Sequence, residues 1–319
     1  MIREGIEMGL NRKADCHRCA MELLGESAVQ LENPLTVLAS PAWRGIEGDI
    51  WRASTPLGSA ILKHYHPDTG FYVDVATAMR AAKLAGDAAI GPAVRREWLQ
   101  DGMIAFEDLD QPWRSGGLQD AINAKVRANV IQAKKAFQRL GSIGASACIF
   151  DEIDRFSQIV RENSIPVHRD VEVFQSFFAE ARARIKSLGQ DQVPCHRDGN
   201  TANYMVDEKD QVRLIDFDLA ADADPFEDIG CHLVEFYESD IEARTGFEEW
   251  HGSFHEGLFQ RAMLFGLADD MRWGLIGAIM AAKSRRSSLE FSKYAAWRFI
   301  RLQARVKRSD ANDRIRAAA

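Results

Sequence analysis

Apolar and polar residues alternate in short runs over the first third of the chain and recur at helical spacing over most of the rest. Short apolar runs bounded by glycine and proline are typical of β-strands, and apolar positions three to four residues apart are typical of amphipathic helices. The runs that predict strands are residues 35–39, 50–53, 59–65 and 103–106. This order predicts an α+β fold of two lobes, a small β-rich lobe followed by a larger α-helical one.

The helical pattern has clear limits at several points. A helix is predicted after Asp68 or Thr69, ending at Gly86, and longer ones at residues 121–140 and 171–188. Strand-like runs at 204–206 and 212–215 flank a polar turn, which predicts a hairpin. Because residues 111–117 are rich in turn-forming residues, we place a boundary there. The predicted segments are a helical extension (1–34), a β-rich N-lobe (35–110) and an α-helical C-lobe (111–319).

Composition and charge exclude several classes of protein. Of the 319 residues, 46% are hydrophobic and 27% charged, which is ordinary for a globular chain. The net charge of -7 argues against a general nucleic-acid partner. The chain lacks an apolar leader, and no apolar run approaches the roughly 18 residues of a membrane span, so we expect no membrane partner and a cytoplasmic location.

Five cysteines in such a chain predict reduced thiols rather than a disulfide framework. Cys16 and Cys19 have a C-x-x-C spacing that could hold zinc or form a redox pair. No second pair of ligands stands at a matching distance, and the surrounding residues have helical composition. The favoured interpretation is two thiols on one helix without zinc.

Candidate chemistry is concentrated in the segment H-R-D-G-N-T-A-N, residues 196–203, and in L-I-D-F-D, residues 214–218. Phosphoryl transfer requires a carboxylate near the acceptor hydroxyl and separate oxygen ligands for magnesium. Asp198 suits the first role as catalytic base, because a carboxylate on a short loop can orient a hydroxyl and accept its proton. Asn203 and Asp216 suit the second role, and the predicted hairpin brings Asp216 back beside Asn203.

These two motifs are similar to the H-R-D-x-x-x-x-N catalytic loop and the D-F-G metal motif of protein kinases. The chain resembles even more the aminoglycoside phosphotransferase and choline kinase families, small-molecule kinases with a protein-kinase-like fold. That resemblance implies Asp216 as the essential metal ligand. Asp218 stands where protein kinases have glycine, and it is either an acid behind the metal ligand or a helper for a second ion.

The segment D-P-F-E-D-I-G, residues 224–230, resembles the D-P-x-x-D-h-G signature of the phosphotransferase families, where h is apolar. The resemblance implies that Asp228 accepts backbone N–H bonds from the catalytic loop, and we expect His196 to pack that loop through side-chain hydrogen bonds. Six residues separate Asp218 from Pro225, which leaves no room for the long segment on which protein kinases dock a polypeptide. A small acceptor is therefore favoured.

In the β-rich lobe, A-I-L-K at residues 60–63 resembles the V-A-I-K pattern, so Lys63 is expected to contact the α and β phosphates. Gly45 and Gly48 stand where a glycine-containing nucleotide loop belongs, and Glu107 and Leu109 where hinge backbone reads adenine. The family partner of the lysine is a Glu on the next helix. This sequence has Asp74, Val75 and Thr77 there and no Glu.

Two charged stretches remain in the C-lobe. We interpret both as solvated helix faces, because charged residues are rarely buried, although the acidic stretch could instead attract an amine-bearing acceptor. The acidic residues are Glu235, Glu238, Asp240 and Glu242, and the basic ones are Arg301, Arg305, Lys307, Arg308, Arg314 and Arg316. The aromatic residues Trp273, Tyr294, Trp297 and Phe299 are predicted to be core.

The resemblance as a whole, over residues 35–297, implies an ATP- and Mg²⁺-dependent kinase that phosphorylates a hydroxyl of a small molecule. An amino alcohol, a sugar and an aminoglycoside-like molecule all remain candidate acceptors. The alternative is a pseudokinase that binds nucleotide or a partner without turnover, and the missing helix Glu is its sequence support. Retention of Lys63, Asp198, Asn203 and Asp216 together argues against it. The sequence does not decide whether the nucleotide is ATP or GTP, or whether the protein is a monomer or a homodimer.

Overall fold

The computed structural model describes residues 2–25, 29–34, 46–286, 290–307 and 311–319. The helices of this part are α1 (Ile2–Leu24), α2 (Val75–Asp87), α3 (Leu118–Ala121), α4 (Ala124–Phe137), α5 (Ile149–Glu162), α6 (Val171–Leu188), α7 (Pro225–Phe236), α8 (Asp240–His251), α9 (Glu256–Lys283), α10 (Phe291–Val306) and α11 (Ala311–Ala317). The strands are β1 (Gln30–Glu32), β2 (Gly48–Thr55), β3 (Gly58–Tyr65), β4 (Val94–Trp98), β5 (Met103–Glu107), β6 (Arg114–Ser115), β7 (Val193–Cys195), β8 (Tyr204–Val206), β9 (Val212–Leu214) and β10 (Ala221–Ala223).

The chain divides into two compact units. The N-terminal unit comprises Met1–Gly117 and Ala202–Leu219, and the C-terminal unit comprises Leu118–Thr201 and Ala220–Ala319. The segment 202–219 belongs to the N-terminal unit because its hairpin extends a small sheet there, β6-β8-β9. The predicted lobe boundary after residue 110 differs from this division, and the three predicted segments stay a prediction.

An antiparallel sheet of order β1-β2-β3-β5-β4 forms the N-terminal unit. Strand β3 lies at its centre, pairing Lys63 with Ile50 on one side and with Ile104 on the other. Pro56 and Leu57 form the turn between β2 and β3, and Gly58 begins β3. Backbone groups of a central strand are fully paired, so the side chains of β3 are held at fixed positions.

Helix α1 packs on this sheet through small apolar residues. Cys16 and Cys19 are fully buried, in a cluster with Ala53, Ala60 and Leu62 from β2 and β3. Burial raises the pKa of Cys16 to about 12 and that of Cys19 to about 11. Arg12, on the same helix, donates to Asp49 at 2.6 Å and to the carbonyl oxygens of His64 and Tyr65. Glu22, near the end of α1, accepts the Trp98 indole N–H of β4 at 2.9 Å. The helix is thus joined to the sheet by apolar packing, by the Arg12 contacts with β2 and β3, and by Glu22.

Helix α9 is the centre of the C-terminal unit, and nearly all of its side chains are buried from Phe259 to Met280. A helix that is buried on every face is expected at the centre of a helical unit. It crosses α7 closely, since a Cβ added at Gly230 would lie 2.2 Å from the carbonyl oxygen of Ala262. Within the described part of the chain, no helix is long and apolar enough to cross a membrane.

Most of the predicted elements are present. The hairpin is confirmed, with Tyr204 opposite Leu214, and α6 has the predicted bounds. Strand β4 was missed because its sequence, V-R-R-E-W, is mostly charged and its burial pattern does not alternate. Helix α5 was also missed, although one face of it is buried. The predicted strand at residues 35–39 lies outside the described residues.

Candidate active site

Lys63 is at the centre of a group of buried charges in the N-terminal unit. Its ammonium donates to Asp216 Oδ1 and to Asp218 Oδ2, each at 2.5 Å. The Tyr65 hydroxyl donates to the other oxygen of Asp218 at 3.0 Å. The side chain of Lys63 is 7% exposed, and those of Asp216 and Asp218 are 23% and 6% exposed. The lysine thus has two carboxylate partners from the segment after β9, in place of the helix Glu of the related families.

Helix α2 supplies no acid to this lysine. Asp74 is the N-cap of α2, accepting the backbone N–H of Thr77 at 2.7 Å, and the buried residues of the helix are small or apolar apart from Thr77. A carboxylate at an N-cap satisfies a helix N–H that would otherwise lack a partner. The helix Glu of the related families is therefore missing in the structure as well as in the sequence. The charge of Lys63 is balanced instead by Asp216 and Asp218.

Glu47 is a third acid near the same group, and the sequence analysis did not select it. One oxygen atom from each of Glu47, Asp216 and Asp218 lies within 4.8 Å of the others. Glu47 is 5% exposed and accepts the Tyr72 hydroxyl at 3.1 Å. It precedes Gly48, so the glycine-containing loop was recognised for its glycines while its acid was passed over. An acid two residues from a predicted phosphate-loop glycine could have been noticed.

The charges of these groups affect one another. Burial would lower the pKa of Lys63, but the carboxylates of Asp216 and Asp218 outweigh burial and hold the pKa well above its usual value. Burial and the charge of Asp216 raise the pKa of Asp218 well above its usual range, against the opposing effect of Lys63. One lysine thus does not fully offset burial and the neighbouring acid, and the surroundings favour the protonated form of Asp218.

Close backbone approaches position the two sides of this cluster. A Cβ at Gly48 would lie 2.8 Å from the carbonyl oxygen of His64 and 3.1 Å from Cγ of Lys63, so a larger residue there would displace β3. Asp216 has a left-handed backbone, with φ of 67°, that aspartate adopts more readily than most residues. The backbone N–H of Ile215 donates to the carbonyl of Asn203 at 3.1 Å, so the hairpin brings Asn203 beside the segment that contains Asp216.

A cavity of about 540 Å³ in the N-terminal unit adjoins this cluster. Its charged end contains Lys63, Asn203, Asp216 and Asp218, and its apolar walls include Ile50, Ile61, Ala82, Phe106 and Ile215. Glu107, Leu109 and Arg52 also line it. Ligand cavities of this size with a few convergent polar groups are typical small-molecule sites. Gly45 lies outside the described residues.

In the segment after β5, the side chain of Asp108 is held by an ion pair, and the backbone of Leu109 makes no hydrogen bond to the described residues. Arg52 pairs with both oxygens of Asp108, at 2.9 and 3.0 Å, which holds the backbone on either side of Asp108. Glu107 accepts the backbone N–H of Ala93 through its carboxylate at 3.2 Å. Among the described residues, neither backbone group of Leu109 makes a hydrogen bond. No sequence motif had singled out Arg52.

The donor atoms near Lys63 fit a divalent cation. Carboxylate and amide oxygens are the ligands that Mg²⁺ and similar hard cations bind. Asn203 is 7% exposed, lines the same cavity as Asp216, and its amide nitrogen has no partner among the described residues. The side-chain oxygen of Asn203 is the atom that suits a cation, whereas its unpartnered nitrogen is a buried hydrogen-bond donor and points to an acceptor on a ligand.

Residues 196–201 of the predicted catalytic loop lie in the C-terminal unit, and Asp228 holds their backbone. Asp228 is fully buried and accepts the backbone N–H of His196 at 3.1 Å and that of Arg197 at 2.8 Å. Lys134, from α4, donates to the carbonyl of Asp198 at 2.7 Å and lies 3.6 Å from Asp228. Asp198 itself accepts the backbone N–H of Asn200 at 2.8 Å. Lys134 is a second residue that the sequence did not identify.

Arg197 ties the same loop to the helices of the C-terminal unit. Its side chain is buried and pairs with Glu227 at 2.8 Å and with Glu152 at 2.7 Å. Arg272, from α9, donates to the carbonyl of Arg197 at 2.5 Å and also pairs with both glutamates. A buried network of this kind holds a loop in one conformation when every member has partners.

The interpretation of the acidic and basic stretches as solvated helix faces was wrong for some of their residues. Glu238, Glu242, Lys307 and Arg316 are exposed as expected, and Arg308 lies outside the described residues. Glu235 pairs with Arg298 at 2.7 Å and with Arg301 at 2.6 Å, and Arg301 also pairs with Asp270. Arg314 pairs with Asp240 and is 5% exposed on its side chain. Glu235, Arg301 and Arg314 are thus paired within the folded unit, which a one-dimensional pattern does not reveal.

The aromatic residues of α9 and α10 are mostly buried, and one of them, Tyr294, responds to the charge of Asp198. Trp273, Tyr294 and Phe299 are buried, as predicted. Burial raises the pKa of Tyr294, and the negative charges of Glu235 and Asp198 add to the effect, so its hydroxyl is near both acids. A Cβ at Gly199 would lie 3.0 Å from Cγ of Glu235, which places Glu235 against the predicted catalytic loop as well.

Solved structures with the same fold are small-molecule kinases by name. A choline/ethanolamine kinase family protein from Mesorhizobium loti aligns with a TM-score of 0.78 at 17% identity, covering 96% of this chain and 98% of that one. A choline kinase from Streptococcus pneumoniae aligns with a TM-score of 0.73 at 15% identity, covering 92% and 99%. An aminoglycoside 2′-phosphotransferase in complex with GDP gives 0.64 at 12% identity, covering 90% and 95%. These alignments confirm the predicted two-lobed, kinase-like α+β fold.

Among curated proteins, no sequence matched this chain significantly. A family model described as "Phosphotransferase enzyme family" matches residues 39–265. That range includes Lys63, the catalytic-loop motif, Asp216 and Asp228, and it covers well over half of the chain. The expectation of a phosphotransferase enzyme related to the aminoglycoside phosphotransferases and choline kinases is thereby confirmed, and the chain belongs to the phosphotransferase enzyme family.

Proposed function

We propose that this protein is a kinase that transfers the γ-phosphoryl group of ATP, with Mg²⁺, to a hydroxyl of a small amino alcohol. The observation that carries the proposal is the buried group of Lys63, Asn203, Asp216 and Asp218 at one end of a cavity of about 540 Å³. A cation and several oxygen ligands beside an apolar cavity suit a nucleotide with its phosphates at the charged end.

In this proposal the N-terminal unit binds the nucleotide. Lys63 contacts the α and β phosphates, and Gly48 lets the chain approach Lys63 closely. The unpaired backbone groups of Leu109 read the edge of adenine, and the Arg52–Asp108 pair keeps that backbone in place. Glu107 supports the same segment through its bond to Ala93. Gly45 keeps its expected place in the nucleotide loop as part of the proposal.

Asn203 and Asp216 would hold Mg²⁺, with Asp218 beside them. The ion would neutralise charge on the phosphates when bound. In the C-terminal unit, Asp198 orients the acceptor hydroxyl and accepts its proton as the new bond forms. Asp228, Lys134 and His196 position the loop that contains Asp198. These roles rest on the family motifs and are supported by the burial and hydrogen bonds of each residue.

We place amino alcohols first among acceptors because structures with the same fold are named as choline and ethanolamine kinases. Tyr294 and Glu235, which lie near Asp198, are reasonable neighbours for an acceptor with a cationic amine. Sugars and aminoglycoside-like molecules remain the next classes to test. We further propose a cytoplasmic protein, since the structure contains five free thiols.

The test is a screen for acceptor-dependent release of ADP. Choline, ethanolamine, other amino alcohols, sugars and aminoglycosides are each added to protein, ATP and Mg²⁺, with GTP as the alternative donor. We expect at least one amino alcohol to stimulate ADP release well above the rate in water. Binding of Mg·ATP with no stimulation by any acceptor would instead support the pseudokinase, and absence of nucleotide binding would reject both functions.

A further inference from the structure

The ammonium of Lys63 lies where a cation shared by two carboxylates would bind. It is 2.5 Å from Asp216 Oδ1 and 2.5 Å from Asp218 Oδ2. Oxygen atoms bind Mg²⁺ at about 2.0–2.1 Å and Ca²⁺ at about 2.3–2.6 Å, so the ammonium makes contacts of comparable length. A metal ion and this ammonium cannot both occupy the space between the two carboxylates.

The charge of the cluster is unbalanced by two units when all three acids are ionised. Glu47, Asp216 and Asp218 contribute three negative charges within 4.8 Å of one another, and Lys63 contributes one positive charge. Buried negative charge without a counterion is unfavourable, so the cluster favours the arrival of a divalent cation. The Tyr65 and Tyr72 hydroxyls, which donate to Asp218 and Glu47, reduce this cost but add no charge.

Asn203 provides an independent sign of a ligand at this place. It is more than nine-tenths buried and lines the cavity together with Asp216 and Asp218. Its amide nitrogen has no hydrogen-bond partner among the described residues. The amide is therefore not committed to a protein partner in this arrangement, although burial normally requires one.

We infer that Lys63 acts as a tethered substitute for the metal ion in the nucleotide-free protein. The inference rests on the proposed Mg·ATP function. In the absence of nucleotide, the ammonium neutralises Asp216 and Asp218 and competes with divalent cations. Phosphates of an incoming nucleotide offer the ammonium an alternative anionic partner. Lys63 then releases the two carboxylates, and the metal site becomes available when the substrate that needs the metal has arrived.

The local structure allows such an exchange of partners. Strand β3 fixes the backbone of Lys63 between β2 and β5, while the four-carbon side chain carries a compact charge that can turn about its own bonds. Asp216 is the more exposed of the two acids, at 23% against 6% for Asp218. A metal ion would thus reach the cluster from the cavity side, past Asp216, without any movement of the sheet.

The test measures Mn²⁺ binding without nucleotide by the loss of the free-ion paramagnetic resonance signal. Removing the competing charge in Lys63→Met should tighten Mn²⁺ binding by about tenfold or more, because two cations this close repel strongly. Lys83→Met is the matched control, since Lys83 is 55% exposed and pairs with Asp87 on α2. It should bind Mn²⁺ as the wild type does.

Two further variants keep the result interpretable. Lys63→Gln should also tighten binding, and adding Asp218→Asn to Lys63→Met should remove most of the gain. Circular dichroism shows whether each variant is folded, and Lys63→Gln replaces Lys63→Met if the latter is not. Equal or weaker Mn²⁺ binding by folded Lys63 variants would overturn the inference. Failure of wild-type protein to bind Mn²⁺ even with a non-hydrolysable ATP analogue would instead count against the proposed function.

Discussion

At the scale of single residues, Asp198 separates an active kinase from a protein that only binds nucleotide. Its carboxylate accepts the Asn200 N–H, and its carbonyl is held by Lys134, so the backbone of the loop does not depend on the negative charge alone. Asp198→Asn should therefore fold and bind Mg·ATP with nearly unchanged affinity. Turnover should fall by about 10² to 10⁴, the usual cost of losing a positioned acid or base.

The assay is ADP release at saturating nucleotide with the acceptor found in the screen. Asp191→Asn is a suitable control because Asp191 is exposed and lies a few residues before the same loop. It should retain wild-type turnover. If Asp198→Asn retained more than about a tenth of that turnover, Asp198 would not be the base.

Cys16 and Cys19 show how far a residue's surroundings decide its chemistry. Thiolates bind zinc and react with electrophiles, and burial raises the pKa of these two thiols to about 12 and about 11. We predict that the purified protein contains no stoichiometric zinc. We also predict that both thiols react with a disulfide reagent far more slowly than in urea. Elemental analysis and absorbance kinetics measure this, and bound zinc that is lost in a Cys16→Ser, Cys19→Ser double variant would contradict it.

At the scale of elements, helix α1 depends on Arg12 for its polar attachment to the sheet. The guanidinium joins Asp49 at the start of β2 to the carbonyls of His64 and Tyr65 at the end of β3, and it is 14% exposed. Hydrogen bonds from a charged group contribute about 1.5–3 kcal/mol each when removal leaves partners unsatisfied. Arg12→Met should therefore lower the free energy of unfolding by about 2 kcal/mol or more.

Urea denaturation gives the size of this effect. Arg18→Met on the same helix is the control, because Arg18 is 46% exposed and forms surface pairs with Glu22 and Asp101. Such pairs contribute about 0–1 kcal/mol. Equal losses in the two variants would show that Arg12 is only another surface charge.

The pairing of α7 with α10 explains why charged stretches misled the sequence analysis. Periodicity and composition describe each helix by itself, and by that measure Glu235 and Arg301 look like solvent-exposed residues. Their burial depends on a match between elements that are more than sixty residues apart in the chain. The hairpin was predictable because its interacting residues are close in sequence. The predicted start of α2 at Asp68 or Thr69 was wrong, because those residues lie in a separate short turn and Asp74 caps the helix.

Glu235 should give this helix pair a measurable dependence on pH. Burial raises its pKa, but Arg298 and Arg301 outweigh burial and lower it to about 2, against 4.5 for the free side chain. Because the folded pKa is below the unfolded one, the stabilisation is complete above about pH 4.5 and is lost as the pH falls towards 2. Glu235→Gln should cost about 3 kcal/mol at pH 7 and should flatten the stability curve in this window.

Stability measured by urea between pH 2.5 and 7 tests the point, with Glu238→Gln as control, since Glu238 is an exposed member of the same stretch. The control should follow the wild-type curve. If Glu235→Gln followed it too, the ion pairs with Arg298 and Arg301 would contribute nothing net.

At the scale of the whole molecule, sequence motifs singled out candidate functional residues more readily than the residues that hold them in place. Asp198, Asn203 and Asp216 were identified because their motifs are short and ordered along the chain. Lys63 was identified in the same way, but its partners were not, because Asp218 approaches it from more than 150 residues away. Glu47, Arg52 and Lys134 carry no motif. Their importance depends on which residues they meet in the folded protein, and folding alone decides that.

Ligand binding should appear as a change in the stability of the whole protein. A ligand that binds the native state raises its stability by about 2.7 kcal/mol at a hundred times its dissociation constant. For a chain of this size that corresponds to a rise in melting temperature of about 4 °C. Because three carboxylates would face the phosphates of a bound nucleotide, ATP without a divalent cation should give a much smaller rise than Mg·ATP.

Thermal melts with ATP plus EDTA, with Mg²⁺ alone and with both ATP and Mg²⁺ measure the difference. Asp216→Ala should lose most of the extra rise that Mg²⁺ adds, whereas Asp87→Ala, on the exposed end of α2, should keep it. Equal shifts for ATP with and without Mg²⁺ would contradict the proposed metal site. No shift under any condition would contradict nucleotide binding.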